Sequence, residues 1–175
     1  MGGPVDCATF DALPGDDAVA LLQTCCSSPA WAHRVAAARP YGDRAALLRT
    51  ATDLALALSD PELGDALAGH PRIGERSDSA ASRREQSSVA TATTEVRAAL
   101  AAGNRAYEEK FGHVYLVRAA GRSAGELLGI LHRRLDHDAA TERGEVRAAL
   151  ADITRLRLEL LIDGAAGPEE TGGTE

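Results

Sequence analysis

Aromatic residues are nearly absent from this 175-residue chain: one Trp, three Tyr and two Phe make up 3% of it. A hydrophobic core must therefore be built from Ala, Leu and Val. Cysteine is equally scarce. Cys7, Cys25 and Cys26 are odd in number and two are adjacent, and neighbouring cysteines bridge one another only with strain. With no CxxC pair either, a disulfide framework and a thiolate zinc site both drop out. The three thiols read as reduced and structural, in a reducing compartment. No stretch approaches the roughly 18 consecutive apolar residues that a membrane span needs. No basic segment followed by an apolar run opens the chain, and the closing Gly-Gly-Thr-Glu is no receptor-read address. These absences predict a cytoplasmic protein with no membrane partner.

Positive charge is also in deficit. Lys and Arg number 19 against 26 Asp and Glu, giving a net charge of −7 and a pI near 5.2. That is the wrong sign for a phosphate backbone, so nucleic acid is excluded as a partner. At 45% hydrophobic and 26% charged, the composition is that of a soluble globular protein. The length suits one compact domain, read here as residues 1–163. Residues 164–175, with Glu169, Glu170 and Glu175 among Gly, Pro and Thr, read as a disordered acidic tail. Residues 1–9 read as a frayed end.

Between these ends the apolar spacing is helical almost throughout. Asp16-Asp17 opens a run through Ala18, Val19, Leu21 and Leu22. Ser28-Pro29 is a cap followed by proline, starting a helix with Trp31 and Val35 that stops before Pro40. Asp43 starts a longer one, with Leu47, Leu48, Ala51, Leu54, Ala55 and Leu58 at spacings of three and four. Asp60-Pro61 repeats the cap-proline signature in a helix ending at Gly69. After a polar loop, His70 to Asp78, two helices are predicted at roughly 79–92 and 94–110, the second closed by Gly112. His113 to Arg118 leans towards β but has no partner run for a ladder, so it reads as an extended segment packed on helices. Ser123-x-x-Glu126 is a capping box for a helix through Leu127, Leu128, Ile130, Leu131 and Leu135. The last helix runs from about Ala139 to Ile162, with Val146, Leu150, Ile153, Leu156 and Leu160 inward. The fold class is all-α, a single multi-helix domain with one extended segment near 113–118.

Two stretches stand out chemically. Gly69-His70-Pro71-Arg72-Ile73-Gly74 sets a histidine just past a helix end, and the proline biases it away from the helical region. It is either a surface histidine or a titratable imidazole on a stiffened loop, suited to acid–base chemistry near neutral pH. Ser82-x-x-Glu85-Gln86 is either a capping box or a polar site among apolar helices. Arg157, between Leu156 and Leu158, either snorkels outward or meets an anion, a substrate among the possibilities. His132 and His137, five apart, fall on nearly opposite helix sides, and His33 has no partner, so no metal is expected. No G-x-S-x-G elbow supports a serine nucleophile.

Taken together, the ordered motifs are similar to those of the 2-oxo-4-hydroxy-4-carboxy-5-ureidoimidazoline (OHCU) decarboxylases of the urate-to-allantoin pathway. The resemblance runs from Phe10-Asp11-Ala12-Leu13 to Leu156-Arg157-Leu158. It rests on Cys25-Cys26-Ser27-Ser28 with Trp31, His70-Pro71-Arg72-Ile73-Gly74, Ser82-x-x-Glu85-Gln86, Asn104-x-x-Tyr107-x-x-Lys110-Phe111-Gly112, and Arg134-Leu135 with Thr141-Glu142. It implies an all-helical fold and a catalytic trio of His70, Glu85 and Arg157. Pro71, Ser82, Gln86 and the stretch Tyr115, Leu116, Val117, Arg118 and Ala119 would bind substrate, the last five through backbone groups. It further implies a homodimer without a cofactor, with OHCU as substrate and functional coupling to hydroxyisourate hydrolase and urate oxidase. Some relatives are fused to that hydrolase, for which this chain is too short. Where the family commonly reads Phe-Gly-Phe-Pro-Phe, this chain has Phe111-Gly112-His113-Val114-Tyr115. Losing the proline frees an N–H and loosens the segment. The competing expectation is a non-catalytic all-α module that binds a small ligand or a protein. The enzyme requires His70, Glu85 and Arg157 around one pocket; the module does not.

Overall fold

Helix caps organise the chain. In the computed structural model, which describes residues 4–163, ten α-helices account for most of those residues. They are α1 (Cys7–Ala12), α2 (Gly15–Gln23), α3 (Pro29–Ala37), α4 (Arg44–Leu56), α5 (Asp60–Ala68), α6 (Ala80–Glu85), α7 (Ser87–Ala90), α8 (Thr94–Phe111), α9 (Ala124–Leu135) and α10 (Ala139–Leu161). Ser28 Oγ accepts from the Trp31 N–H at 3.2 Å, and Asp43 Oδ1 from the Ala46 N–H at 2.7 Å. Ser123 and Glu126 bond reciprocally, satisfying amides that a bare helix start would orphan. Gly112, at φ +78°, closes α8 in the left-handed region, where glycine avoids the Cβ penalty.

The structure departs from the sequence reading in several places. Residues 7–9, expected to fray, begin α1. Just before them β1 (Val5–Asp6) pairs in parallel with β2 (Ile162–Asp163), tying the two ends of the domain together. The 79–92 helix breaks at Gln86 into α6 and α7. Helix α5 is capped at Ser59, whose N–H donates to Glu62 Oε2 at 2.9 Å, rather than at Asp60. Leu160 is 61% exposed although it stays near the face of Val146, Leu150 and Ile153, because over the last turns of α10 the buried face moves to Thr154 and Leu158. The segment 164–175 lies outside the described residues.

Two apolar clusters form the interior. The larger gathers α1 to α5 and α10 around Phe10, Trp31, Leu47, Leu58, Leu150 and Leu158. The smaller joins α8 and α9 around Tyr107, Leu100, Leu127 and Leu131. Residues 113–119 run extended along the seam: Leu116 belongs to the first cluster, Tyr115, Val117 and Ala119 to the second.

Gly69 brings the end of α5 against the turn after α2. A Cβ there would lie 2.5 Å from Ser27 Cβ and 2.0 Å from its Oγ. Gly69→Ala should therefore lower the urea midpoint, by about 1–3 kcal/mol of overpacking strain, despite the entropy alanine removes from the unfolded chain. An unchanged or raised midpoint would show that this approach is not tight.

Candidate active site

Three elements far apart in sequence converge at the seam. His70 follows α5 directly, its N–H held by the Leu67 carbonyl at 3.0 Å. The loop after it is pinned on three sides. Arg72 forks onto Glu108 (Nη2–Oε2 2.9 Å), Asn104 Nδ2 donates to the Ile73 carbonyl at 2.9 Å, and the Gly74 N–H donates to Gln86 Oε1 at 2.9 Å. The imidazole is thereby set over α10, where Arg157 projects from the last turns.

Helix α6 supplies the second element. Its cap is Ser79, whose Oγ accepts from the Ser82 N–H at 3.3 Å. Ser82 thus sits inside the helix and cannot be a cap, which removes the capping-box reading of Ser82-x-x-Glu85. Ser82 is instead buried, and its Oγ accepts from Arg157 Nη2 at 3.3 Å. Glu85 closes α6 with both carboxylate oxygens on the same guanidinium: Nε–Oε1 at 2.8 Å and Nη2–Oε2 at 2.9 Å. The pair is largely out of solvent, with 12% of the Arg157 side chain and 16% of that of Glu85 exposed. Arg157 does not snorkel; it meets an anion.

His70, Pro71, Ser82, Glu85, Gln86, Tyr115, Leu116, Val117, Ala119 and Arg157 all line one cavity, with Ile73 and Ile153. Arg118 does not. It is exposed, while its neighbours Val117 and Ala119 are buried. Nor does a hydrogen bond join Glu85 to His70; the side-chain bonds of Glu85 run to Arg157. Sequence reasoning missed Ile73 and Ile153. The first lies inside the His-Pro-Arg-Ile-Gly run, and the second stands one helical turn before Arg157, a spacing that places both on one face.

The cavity itself holds about 10 Å³, room for roughly one water. Ser82 and Gln86 also line a neighbouring cavity of about 570 Å³ with Arg76, Arg83 and Arg97, so these two side chains form the partition between them. None of the backbone N–H groups of residues 115–119 donates to another described residue. Burial, reinforced by the Arg157 charge, pushes the His70 imidazole down to about 4, so at neutral pH it is an unprotonated acceptor. Burial raises the Cys25 thiol to about 11, leaving it protonated and inert. Among the described residues no group of three or more His, Cys, Asp or Glu is placed to hold a metal ion. The ensemble offers a cationic fork, a neutral base and unpaired amides, which together suit an oxyanion-bearing ligand with a removable proton.

Comparison with known proteins bears on the family and the fold. Residues 11–159 match the family model described as OHCU decarboxylase. The chain is similar over 153 residues, at 29% identity, to the "Uric acid degradation bifunctional protein TTL" of Arabidopsis thaliana, covering 82% of this chain and 47% of that protein. It thus spans about half the length of that curated relative. Among solved structures, an OHCU decarboxylase crystallised in the presence of (S)-allantoin superposes with a TM-score of 0.70 at 27% identity, covering 78% of this chain and 92% of the other. An (S)-allantoin synthase shares the fold, with a TM-score of 0.69 at 16% identity over 91% of this chain and 55% of that one.

The histidine gives a pH signature. Its folded value lies below the ordinary 6.5, so between about 6.5 and 4 the unfolded chain takes up a proton that the folded chain refuses, and stability falls as pH drops through that window. Ring resonances of His70 should titrate near 4 by NMR, and the acid loss of stability should be smaller in His70→Asn. A titration near 6.5 would mean that the ring is solvated.

Proposed function

The chain belongs to the OHCU decarboxylase family, and from that premise we propose that it decarboxylates OHCU to (S)-allantoin in urate degradation, with His70, Glu85 and Arg157 as its catalytic residues. The observation that carries the reading is the convergence of those three side chains, from positions 70, 85 and 157, on one cavity. An interaction module has no need to bury a guanidinium beside a neutral imidazole, since desolvating either group costs free energy.

The substrate carries a carboxylate and a hydroxyl on one ring carbon, next to a C=N bond. Arg157 orients the substrate oxygens through charge-assisted bonds, so Glu85 must yield at least one of its two bonds to the fork on entry. Ser82 and Gln86 must part as well, because a ring with two substituents exceeds the closed cavity. As CO2 leaves, the electrons of the broken C–C bond form a C=C bond to the neighbouring ring carbon, and the former C=N nitrogen takes up a proton. The enol that results collapses to the ring carbonyl as His70 accepts the hydroxyl proton. A proton then enters the neighbouring carbon from one face, which sets the S configuration. Glu85, drawn off the fork, accepts from the ureido N–H groups, and the amides of residues 115–119 offer donors to the remaining oxygens. The electron sink belongs to the substrate, so no cofactor is invoked. The same reading takes the protein as a cytoplasmic homodimer working alongside hydroxyisourate hydrolase and urate oxidase; its three unpaired thiols suit a reducing compartment.

His70→Asn should lower turnover by about 100-fold or more with the fold intact, the usual scale for lost acid–base catalysis. Arg157→Lys keeps Glu85 paired but loses the planar fork, and should weaken (S)-allantoin binding by about tenfold or more in calorimetry. Unchanged affinity would place Arg157 outside the site. Chelators should leave the rate unaltered, and restoration of lost activity by a divalent ion would contradict the mechanism.

A further inference from the structure

A second arginine is buried more deeply than Arg157, and the mechanism does not use it. Arg134, on α9, is 2% exposed, and its partner Glu142, on α10, is fully buried. Nε and Nη2 of Arg134 reach Glu142 Oε1 at 2.8 and 2.5 Å. The Tyr107 hydroxyl also donates to that oxygen, and His137 Nδ1 lies 3.0 Å from Oε2. The remaining branch of the fork, Nη1, donates to the Leu116 carbonyl at 2.7 Å, and the guanidinium lies 5.1 Å from the centre of the Tyr115 ring.

Stability is a weak explanation for this pair, because the cost of desolvating two charges commonly matches or exceeds their attraction. Its contact outside the charge cluster is more informative. The stretch 113–118 belongs to no strand and makes no backbone–backbone hydrogen bond to another described residue. Burial of Tyr115, Leu116, Val117 and Ala119 and the bond from the Tyr115 hydroxyl to the Leu127 carbonyl at 3.0 Å hold its side chains, but without a ladder its backbone has few partners of its own. Arg134 supplies what a neighbouring strand would have supplied: one donor to one carbonyl, backed by contact with the adjacent ring. That carbonyl sits in the run Tyr115, Leu116, Val117 and Ala119 that walls the cavity beside His70 and Arg157.

We propose that Arg134, held by Glu142, is a positioning residue for the substrate site, fixing the register of residues 115–119 so that their amides meet the ligand. The inference rests on the decarboxylase reading above. It extends that reading from the residues that touch substrate to a pair that acts through the backbone.

The test uses two variants of the full chain, with (S)-allantoin as the calorimetric probe and OHCU as the kinetic substrate. Arg134→Met/Glu142→Leu removes both charges together and so avoids stranding either one. Arg134→Lys keeps a positive charge on Glu142, but a single ammonium cannot serve the carboxylate and the Leu116 carbonyl as the fork does. At a temperature where circular dichroism shows the variants folded, both should bind (S)-allantoin at least tenfold more weakly. KM should rise by more than kcat falls, and the acid limb set by His70 should stay where it is in wild type. Wild-type affinity in either folded variant overturns the proposal. So does failure of both to fold, which would make the pair a requirement of the fold and not of the site. Absence of (S)-allantoin binding by the wild type would instead defeat the decarboxylase reading.

Discussion

A guanidinium largely withdrawn from bulk water calls for an anion, and much of this structure follows from where Arg157 meets its own. The long helix α10 delivers it to the seam between two apolar clusters, and Glu85 meets it there with both oxygens. To place that carboxylate, α6 has to end at Glu85 and turn at Gln86. To leave no polar group stranded, Ser82 is drawn inward beside the pair. The same positive charge adds to burial in holding the His70 imidazole unprotonated. One ion pair thus links a helix break, a buried serine and the protonation state of a histidine 87 positions earlier in the chain.

The two buried arginines divide a task. Arg157 faces the cavity, where under the proposed function a ligand takes over bonds now made to Glu85. Arg134 stands behind the wall, and its bonds run to Glu142 and to a backbone carbonyl. The difference lies in what each can release. A pair with 12% and 16% of its side chains exposed can be rehydrated as it opens, whereas one almost wholly enclosed is a fixed strut. Between them, the extended segment is held without strand partners, keeping its amide hydrogens unspent.

Local chemistry made the helices legible in the sequence. Ser28, Asp43, Ser123 and Gly112 announce helix ends through bonds formed within one turn, so the chain alone contains them. The seam was less legible. Ser82 resembled a cap because Ser-x-x-Glu is the same string whether its serine caps a helix or lies within one. Only the Ser79 bond to the Ser82 amide decides between the two, and the reason α6 stops lies 72 residues away in Arg157. Periodicity placed Leu160 inward because it carries one face along the whole helix, whereas the buried face of α10 moves to Thr154 and Leu158 over its last turns. Arg118 keeps its side chain in solvent between two buried neighbours, a difference that a motif written as a run of residues does not carry. The β1–β2 pairing joins residues 157 positions apart through two-residue strands, too short to show any pattern.

The central claim is that the groups gathered around Arg157 steer decarboxylation and deliver a proton to one face of the substrate. Circular dichroism of the allantoin formed when urate is passed through urate oxidase and hydroxyisourate hydrolase, with and without this protein, tests it most directly. Spontaneous loss of CO2 lets the proton arrive from either face and yields allantoin without optical activity. With the protein present, the account predicts a single-signed signal matching (S)-allantoin, appearing faster as protein is added and failing to appear with His70→Asn. A racemic product at every protein concentration would contradict it.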